Sequence, residues 1–317
     1  MSTLTVSKQP AAALSSVPQL PILNFPLSIS STLAPANVYE DFIHTYNSPS
    51  AMVKAYDMHR RTRNRDRKAL LEANGEVTPD PILKGLVLDN QSPDFDPRNC
   101  VTVWCRPTRQ VVQLVQQVQS MLRSVEPDIW LMPPGCLHMT ALEILHSAAD
   151  DAVTHELQRL KPYLDTLLAP RPAPVLVKPM LSFDQNALAL SFLPEDSRVG
   201  DNGSWYTYHH YRRDLYNIVQ KAGVPVESRY QVPSAHVTIA RFVKPLASSM
   251  QQWLAKLDEV NNWLETDCGT DIRWAVGDER GSECRCGRIW YGGGYSEATG
   301  PSIQEADEMP GNAWREY

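Results

Sequence analysis

The sequence predicts an α+β protein with a bilobal architecture. Two pseudo-symmetric lobes are expected, each a mainly antiparallel sheet with two outer helices, and one His-x-Thr strand of each lobe faces a central cleft. Three observations predict this. The triplet His-x-Thr occurs in two apolar, strand-like runs, Leu137-His138-Met139-Thr140 and Ala235-His236-Val237-Thr238. Helical stretches flank both runs in the same order. The 98-residue offset that carries His138 onto His236 also carries a helix start near Asp150 onto one near Ser248.

In chain order, residues 1–36 contain frequent prolines and no periodicity, and read as a disordered leader. Residues 37–80 read as a helical arm, with Tyr39, Phe42, Ile43 and Tyr46, then Met52, Val53 and Tyr56 after the Ser48-Pro49-Ser50 break. Within the arm, Arg60 to Lys68 places six cations in nine positions, which fits either a solvated helix face or a contact with RNA backbone.

Residues 81–292 read as the bilobal domain and 293–317 as a tail. Strand Val101–Trp104 and a helix through Val111, Val115, Val118 and Leu122 precede the first triplet, and a helix through Val153, Leu157, Leu160 and Leu164 follows it. Before the second triplet runs a helix through Tyr208, Tyr211, Leu215 and Ile218, ended by Gly223 and Pro225. After it comes a helix through Met250, Trp253, Leu257 and Val260. Strand pairs are expected to close the units, Val175–Val177 with Ala187–Leu190 in the first and Ile272–Trp274 with Arg288–Tyr291 in the second.

Composition narrows the function. A net charge of -6 over 317 residues argues against a general nucleic-acid coat or a long duplex partner. No run approaches the ~20 apolar residues that span a bilayer. The N-terminus fits neither a secretory signal nor an arginine-rich transit peptide. Six cysteines without framework spacing read as reduced thiols, so an intracellular protein, cytoplasmic or nuclear, is expected. Cys284-Arg285-Cys286 lacks a second Cys/His pair at zinc spacing, and Gly292-Gly293-Gly294 lacks the lysine and helix of a phosphate loop. Neither a metal nor a cofactor is expected.

The triplets carry the chemistry. On a strand, alternate side chains share a face, so each His points the same way as its Thr. Two imidazoles with pKa near ~6.5 suit the proton removal and proton donation of phosphodiester cleavage, and two hydroxyls can hold phosphoryl oxygens. Arg241, three positions past Thr238, would face away on a regular strand but could reach the cleft rim. Tyr206 and Tyr208 sit in an aromatic cluster with Trp205 and Tyr211, and fit either stacking on a base or packing inward.

These residues also carry a resemblance. Leu137-His138-Met139-Thr140-Ala141-Leu142 and Ala235-His236-Val237-Thr238-Ile239-Ala240-Arg241-Phe242 are similar to the paired signatures of the 2H (two-histidine) phosphoesterase superfamily, which includes RNA 2',3'-cyclic phosphodiesterases of the LigT type. The likeness spans roughly residues 82 to 292. It implies metal-independent hydrolysis with His138 and His236 as acid and base, and Thr140 and Thr238 as phosphate ligands. The implied partner is a nucleotide or short RNA end bearing a cyclic phosphate. A non-catalytic nucleotide- or RNA-binding module, and a 2',5'-linkage hydrolase or ligase, stand as alternatives. The sequence leaves the oligomeric state open, along with which histidine is the base.

Overall fold

The computed structural model describes residues 37–195, 205–226, 233–268 and 270–307. The expected leader, the polar loop after Glu195 and the last ten residues of the expected tail lie outside the described residues.

The arm forms helices α1 (Val38–Thr45) and α2 (Pro49–Asn74). Asn37 starts α1 by accepting from the Tyr39 amide at 3.0 Å. Ser48 caps α2, with Pro49 in its first turn, where no amide partner is lost. Gly75 ends α2 at φ 70°, a left-handed conformation that disfavours side chains. Tyr39, Met52 and Tyr56 are buried in the main core, so α1 and α2 pack against the rest of the fold. Helix α3 (Pro81–Val87) follows, capped by the Asp80 carboxylate on the Ile82 and Leu83 amides.

The remaining elements are β1 (Cys100–Cys105), α4 (Arg109–Arg123), β2 (Trp130–Leu131), β3 (Met139–Leu145), α5 (Asp150–Leu160), α6 (Leu164–Leu168), β4 (Val175–Phe183) and β5 (Ala187–Pro194). They continue with α7 (Tyr208–Lys221), β6 (His236–Arg241), α8 (Met250–Trp263), β7 (Arg273–Ala275), β8 (Glu283–Gly287), β9 (Tyr295–Thr299) and α9 (Ile303–Asp307). Two antiparallel sheets result, one ordered β3-β1-β8-β9 and the other β2-β6-β5-β4-β7. This is the α+β architecture with two antiparallel sheets that the sequence predicts.

The assignment of elements to sheets differs from the expectation. The β4–β5 hairpin, expected beside the first triplet, pairs with β6 and so joins the second, through Ala187↔Arg241 to Ser191↔His236. In exchange, β8 from the far end of the chain pairs with β1 beside the first triplet. Helices cross over in the same way. α4 and α8 lie on the sheet of β6, while α6 and α7 lie on the sheet of β1 and β3. The cause is that a buried strand edge takes whichever partner satisfies its amides, and that partner need not be near in sequence.

Arg288–Tyr291 is not a strand. Gly287 turns the chain at φ 102°, and Gly292 donates back to the Ile289 carbonyl at 3.0 Å, closing a turn. The strand lies just before it, where Cys284 and Cys286 alternate into the core. The cysteines described with side chains, Cys100, Cys105, Cys136, Cys284 and Cys286, are all free thiols. Among the described residues, no helix is long and apolar enough to cross a membrane.

Candidate active site

The two His-x-Thr segments come from different sheets, and β3 and β6 approach each other with Cα atoms within 8 Å. Each strand is bulged one residue after its threonine. On β3 the register skips Ala141 between Thr140 and Leu142, and on β6 it skips Ile239 between Thr238 and Ala240. A bulge places two residues opposite one, which reverses the alternation beyond it and raises the local twist. On β6 the usual alternation holds upstream of the bulge, so His236 and Thr238 share a face, opposite Ser191 and Ala189. Downstream, the bulge brings Arg241 onto that same face, opposite Ala187. A regular strand would have turned it away.

His138 lies immediately before β3, two residues after a short turn from Pro134 to Cys136. Its Nδ1 donates to the Cys136 carbonyl at 2.8 Å. Since a carbonyl only accepts, this bond leaves the Nε2 lone pair of the neutral ring outward. Trp104, opposite Thr140 on β1, stacks on the ring with centroids 3.5 Å apart.

The preceding turn is clamped by Arg106, a buried side chain at the end of β1. Its Nη1 donates to the Gly135 and Leu137 carbonyls, both at 3.2 Å, while Nε and Nη2 fork onto the Glu283 carboxylate at 2.8 and 3.0 Å. Glu283 and Arg285 stand on the same face as Trp104 and Thr102, as their register on β8 requires. Arg285 holds the glycine turn through the Gly293 and Gly294 carbonyls, and Gly292 presses against Cys136.

Burial pushes the His138 imidazole down to about 3. The bond to Cys136 opposes that shift, and Arg106, His236 and Arg285 reinforce it. The charge on His236 is thus felt at His138. His236 meets Ser234 Oγ through Nδ1 at 2.9 Å, and a hydroxyl can donate or accept there. Burial lowers it to about 4; Arg63, Arg212 and His59 add to the effect and Asp184 opposes it. Both rings are half-buried, and neither threonine hydroxyl has a hydrogen-bond partner among the described residues.

The other expected residues are placed as follows. Arg241 Nη1 pairs with Asp80 at 3.2 Å, its Nε is buried without a partner among the described residues, and the guanidinium lies over the Trp290 and Tyr291 rings. Tyr206 donates to Asp214 on α7 at 2.8 Å. Tyr208 is fully buried behind β3, donating to the Thr140 carbonyl at 3.3 Å, so it backs the first triplet from the core side.

Trp104, Arg106, Glu283 and His59 were not singled out by the sequence. For Arg106 and Glu283 no local signal existed, because their pairing spans most of the domain. The position of Trp104 at the end of the strand leading toward the first triplet was the one available hint.

The chain matches no family model and no curated protein. Among solved structures it is similar to a conserved protein of unknown function from Agrobacterium tumefaciens str. C58, with 13% identity, 59% of this chain and 87% of that one covered, and a TM-score of 0.36. It is also similar to Usb1 of Kluyveromyces marxianus, with 12% identity, 61% and 95% covered, and a TM-score of 0.35. Likenesses this remote carry no statement about the site.

Proposed function

We propose that the chain is a phosphodiesterase that opens 2',3'-cyclic phosphates on RNA ends or nucleotides without a metal ion, using His138 and His236 as the proton-transfer pair. The observation that supports this reading is the approach of β3, which carries Thr140, to β6, which carries His236 and Thr238, from separate sheets.

In the reaction, water attacks phosphorus and passes a proton to one imidazole. The bond from phosphorus to one ribose oxygen breaks, and the other imidazole protonates that oxygen. His138, with Nδ1–H held by Cys136, offers Nε2 as the base. His236 is then the acid. Its low pKa rises when an anionic phosphate replaces water beside it, because an opposite charge favours the protonated ring. The unpartnered hydroxyls of Thr140 and Thr238 donate to the non-bridging oxygens, where charge accumulates. Such positioned acid–base groups are worth about 10²–10⁴-fold each.

The test is incubation with 2',3'-cyclic mononucleotides and a short RNA ending in a cyclic phosphate, followed by product identification. His138→Ala and His236→Ala should each lower kcat about 10²–10⁴-fold with the fold intact by circular dichroism. Activity should survive EDTA. A wild-type protein that turns over none of these substrates, or a His138→Ala variant as fast as wild type, would end the proposal.

A further inference from the structure

We infer that helix α2 flanks the His236 side of the proposed site, and that His59 and Arg63 hold the phosphate of the nucleotide next to the reacting one. The preferred substrate is then the end of a single-stranded oligonucleotide, ahead of a mononucleotide. This rests on the cyclic-phosphate chemistry proposed above for His138 and His236.

The anchors of α2 fix which side chains it turns toward the site. Arg60 is buried, and its Nη1 donates to the Lys178 carbonyl at 2.6 Å and to the Ser191 carbonyl at 3.4 Å. Ser191 is the register partner of His236, so the helix lies against β5, the strand paired with that histidine. Asn64 donates to the Leu181 carbonyl at 2.8 Å. At the preceding turn, Tyr56 meets His209 Nδ1 at 3.0 Å. Residues three and four apart stack on one helix face, which aligns Tyr56, His59 and Arg63 in a stripe.

Most of the basic run is committed to the protein itself. Arg61 pairs with Asp57 and Glu265, Arg65 with Asp66, and Lys68 with Asp258. Asp57 and Asp66 lie on α2 itself, so among these pairs only Arg61–Glu265 and Lys68–Asp258 join the helix to its surroundings, and Arg61 and Arg65 stay exposed. Arg67 has no partner among the described residues, and two further groups stand apart. His59 Nδ1 is buried and has no hydrogen-bond partner among the described residues. Arg63 uses Nη2 on Asp184 at 2.8 Å, which leaves Nε and Nη1 without partners among the described residues. Four residues apart, the two lie on one face of α2. A buried ring nitrogen without a partner, beside a guanidinium with spare donors, suits an anion, and the fork of Arg63 suits phosphate in particular.

The experiment compares kcat/KM for a 2',3'-cyclic mononucleotide and for a four-nucleotide RNA ending in the same cyclic phosphate. It uses wild type, His59→Gln, Arg63→Gln and Arg63→Lys, with folding verified by thermal melting. The tetranucleotide-to-mononucleotide ratio should fall at least tenfold in His59→Gln and Arg63→Gln, chiefly through KM, with Arg63→Lys recovering part of it. An unchanged ratio in both Gln variants overturns the inference, as does an equal loss on both substrates. If Arg63→Gln does not fold, His59→Gln and Arg63→Lys carry the comparison.

Should wild type turn over neither substrate, the proposed function falls, and equilibrium binding of the labelled tetranucleotide decides the role of α2. The Kd should rise at least tenfold in Arg63→Gln, with a smaller salt dependence. An equal Kd refutes the subsite.

Discussion

The indole of Trp104 lies flat against the imidazole of His138, with ring centroids 3.5 Å apart and planes 11° from parallel. This contact covers one face of the ring, and the guanidinium groups of Arg106 and Arg285 lie over the Trp104 ring at 5.0 and 5.2 Å. Trp104 thereby shields the imidazole from water, and water loss is the main reason that protonating His138 is difficult. Trp104→Ala should let the His138 pKa climb from about 3 toward the ~6.5 of a solvated ring. Trp104→Phe should keep it low. Histidine ring resonances followed by NMR across pH would show it, and an unmoved titration in the alanine variant would contradict the account.

Arg106 and Glu283 form a buried ion pair whose cation also ties down the turn before His138. Removing one partner leaves a buried charge without compensation. Arg106→Met should cost about 3–5 kcal/mol in denaturant unfolding. Arg106→Met with Glu283→Met should regain most of that, because an apolar pair of similar size is often as stable as a buried ion pair. Activity should stay low in the double variant, since the Gly135 and Leu137 carbonyls remain unheld. Recovery of stability and activity together would show that the pair does not position His138.

Gly292 has φ 88°, and a Cβ there would overlap the side chain of Cys136, two residues before His138. Gly292→Ala meets backbone strain and a steric conflict at once. Stability should fall by about 1–3 kcal/mol, and kcat should fall with it as the turn carrying His138 shifts. A variant as stable as wild type would place slack in this contact that the packing does not suggest.

Acid should weaken the fold well before ordinary carboxylates titrate. Burial lowers His138, His236 and His210 to about 3, 4 and 4, and it also lowers His59 and His209. Above pH ~7.5 these rings are neutral in both folded and unfolded chains and confer no pH dependence. As pH falls below ~6.5 the unfolded chain takes up protons that the folded chain refuses. Each such ring then removes up to ~1.4 kcal/mol of stability per pH unit, until its folded pKa is reached. Urea midpoints should decline steadily from pH 6.5 to 4. His138→Gln with His236→Gln should flatten that decline, and an unaltered slope would disprove the contribution of these two rings.

Local pattern made the helices and the two triplet strands readable. Apolar spacing marked α4, α7 and α8, and alternation marked β1, β3 and β6. What could not be read was anything set by distant partners. Nothing near Ala187–Leu190 says that β5 pairs with β6, because that choice depends on which strand edge is left open once the chain collapses. The side on which Arg241 emerges turned on a single skipped residue, Ile239, and a bulge has no reliable mark in a valine- and isoleucine-rich run. Arg288–Tyr291 looked strand-like from its apolar content, yet the positive φ of Gly287 had already turned the chain. His59 stands just before a run of charges that drew attention to its cations.

The crossing of strands between sheets has a consequence for synthesis. Val101 lies beside Cys286, and the edge strand β9 arrives later still. On a ribosome, β1 and β3 would emerge long before their neighbours exist, leaving one flank of β1 exposed to other nascent chains. Contacts this far apart along the backbone also favour slow folding. A message truncated before residue 283 would yield a polypeptide carrying both histidine triplets that could never close the sheet beside the first.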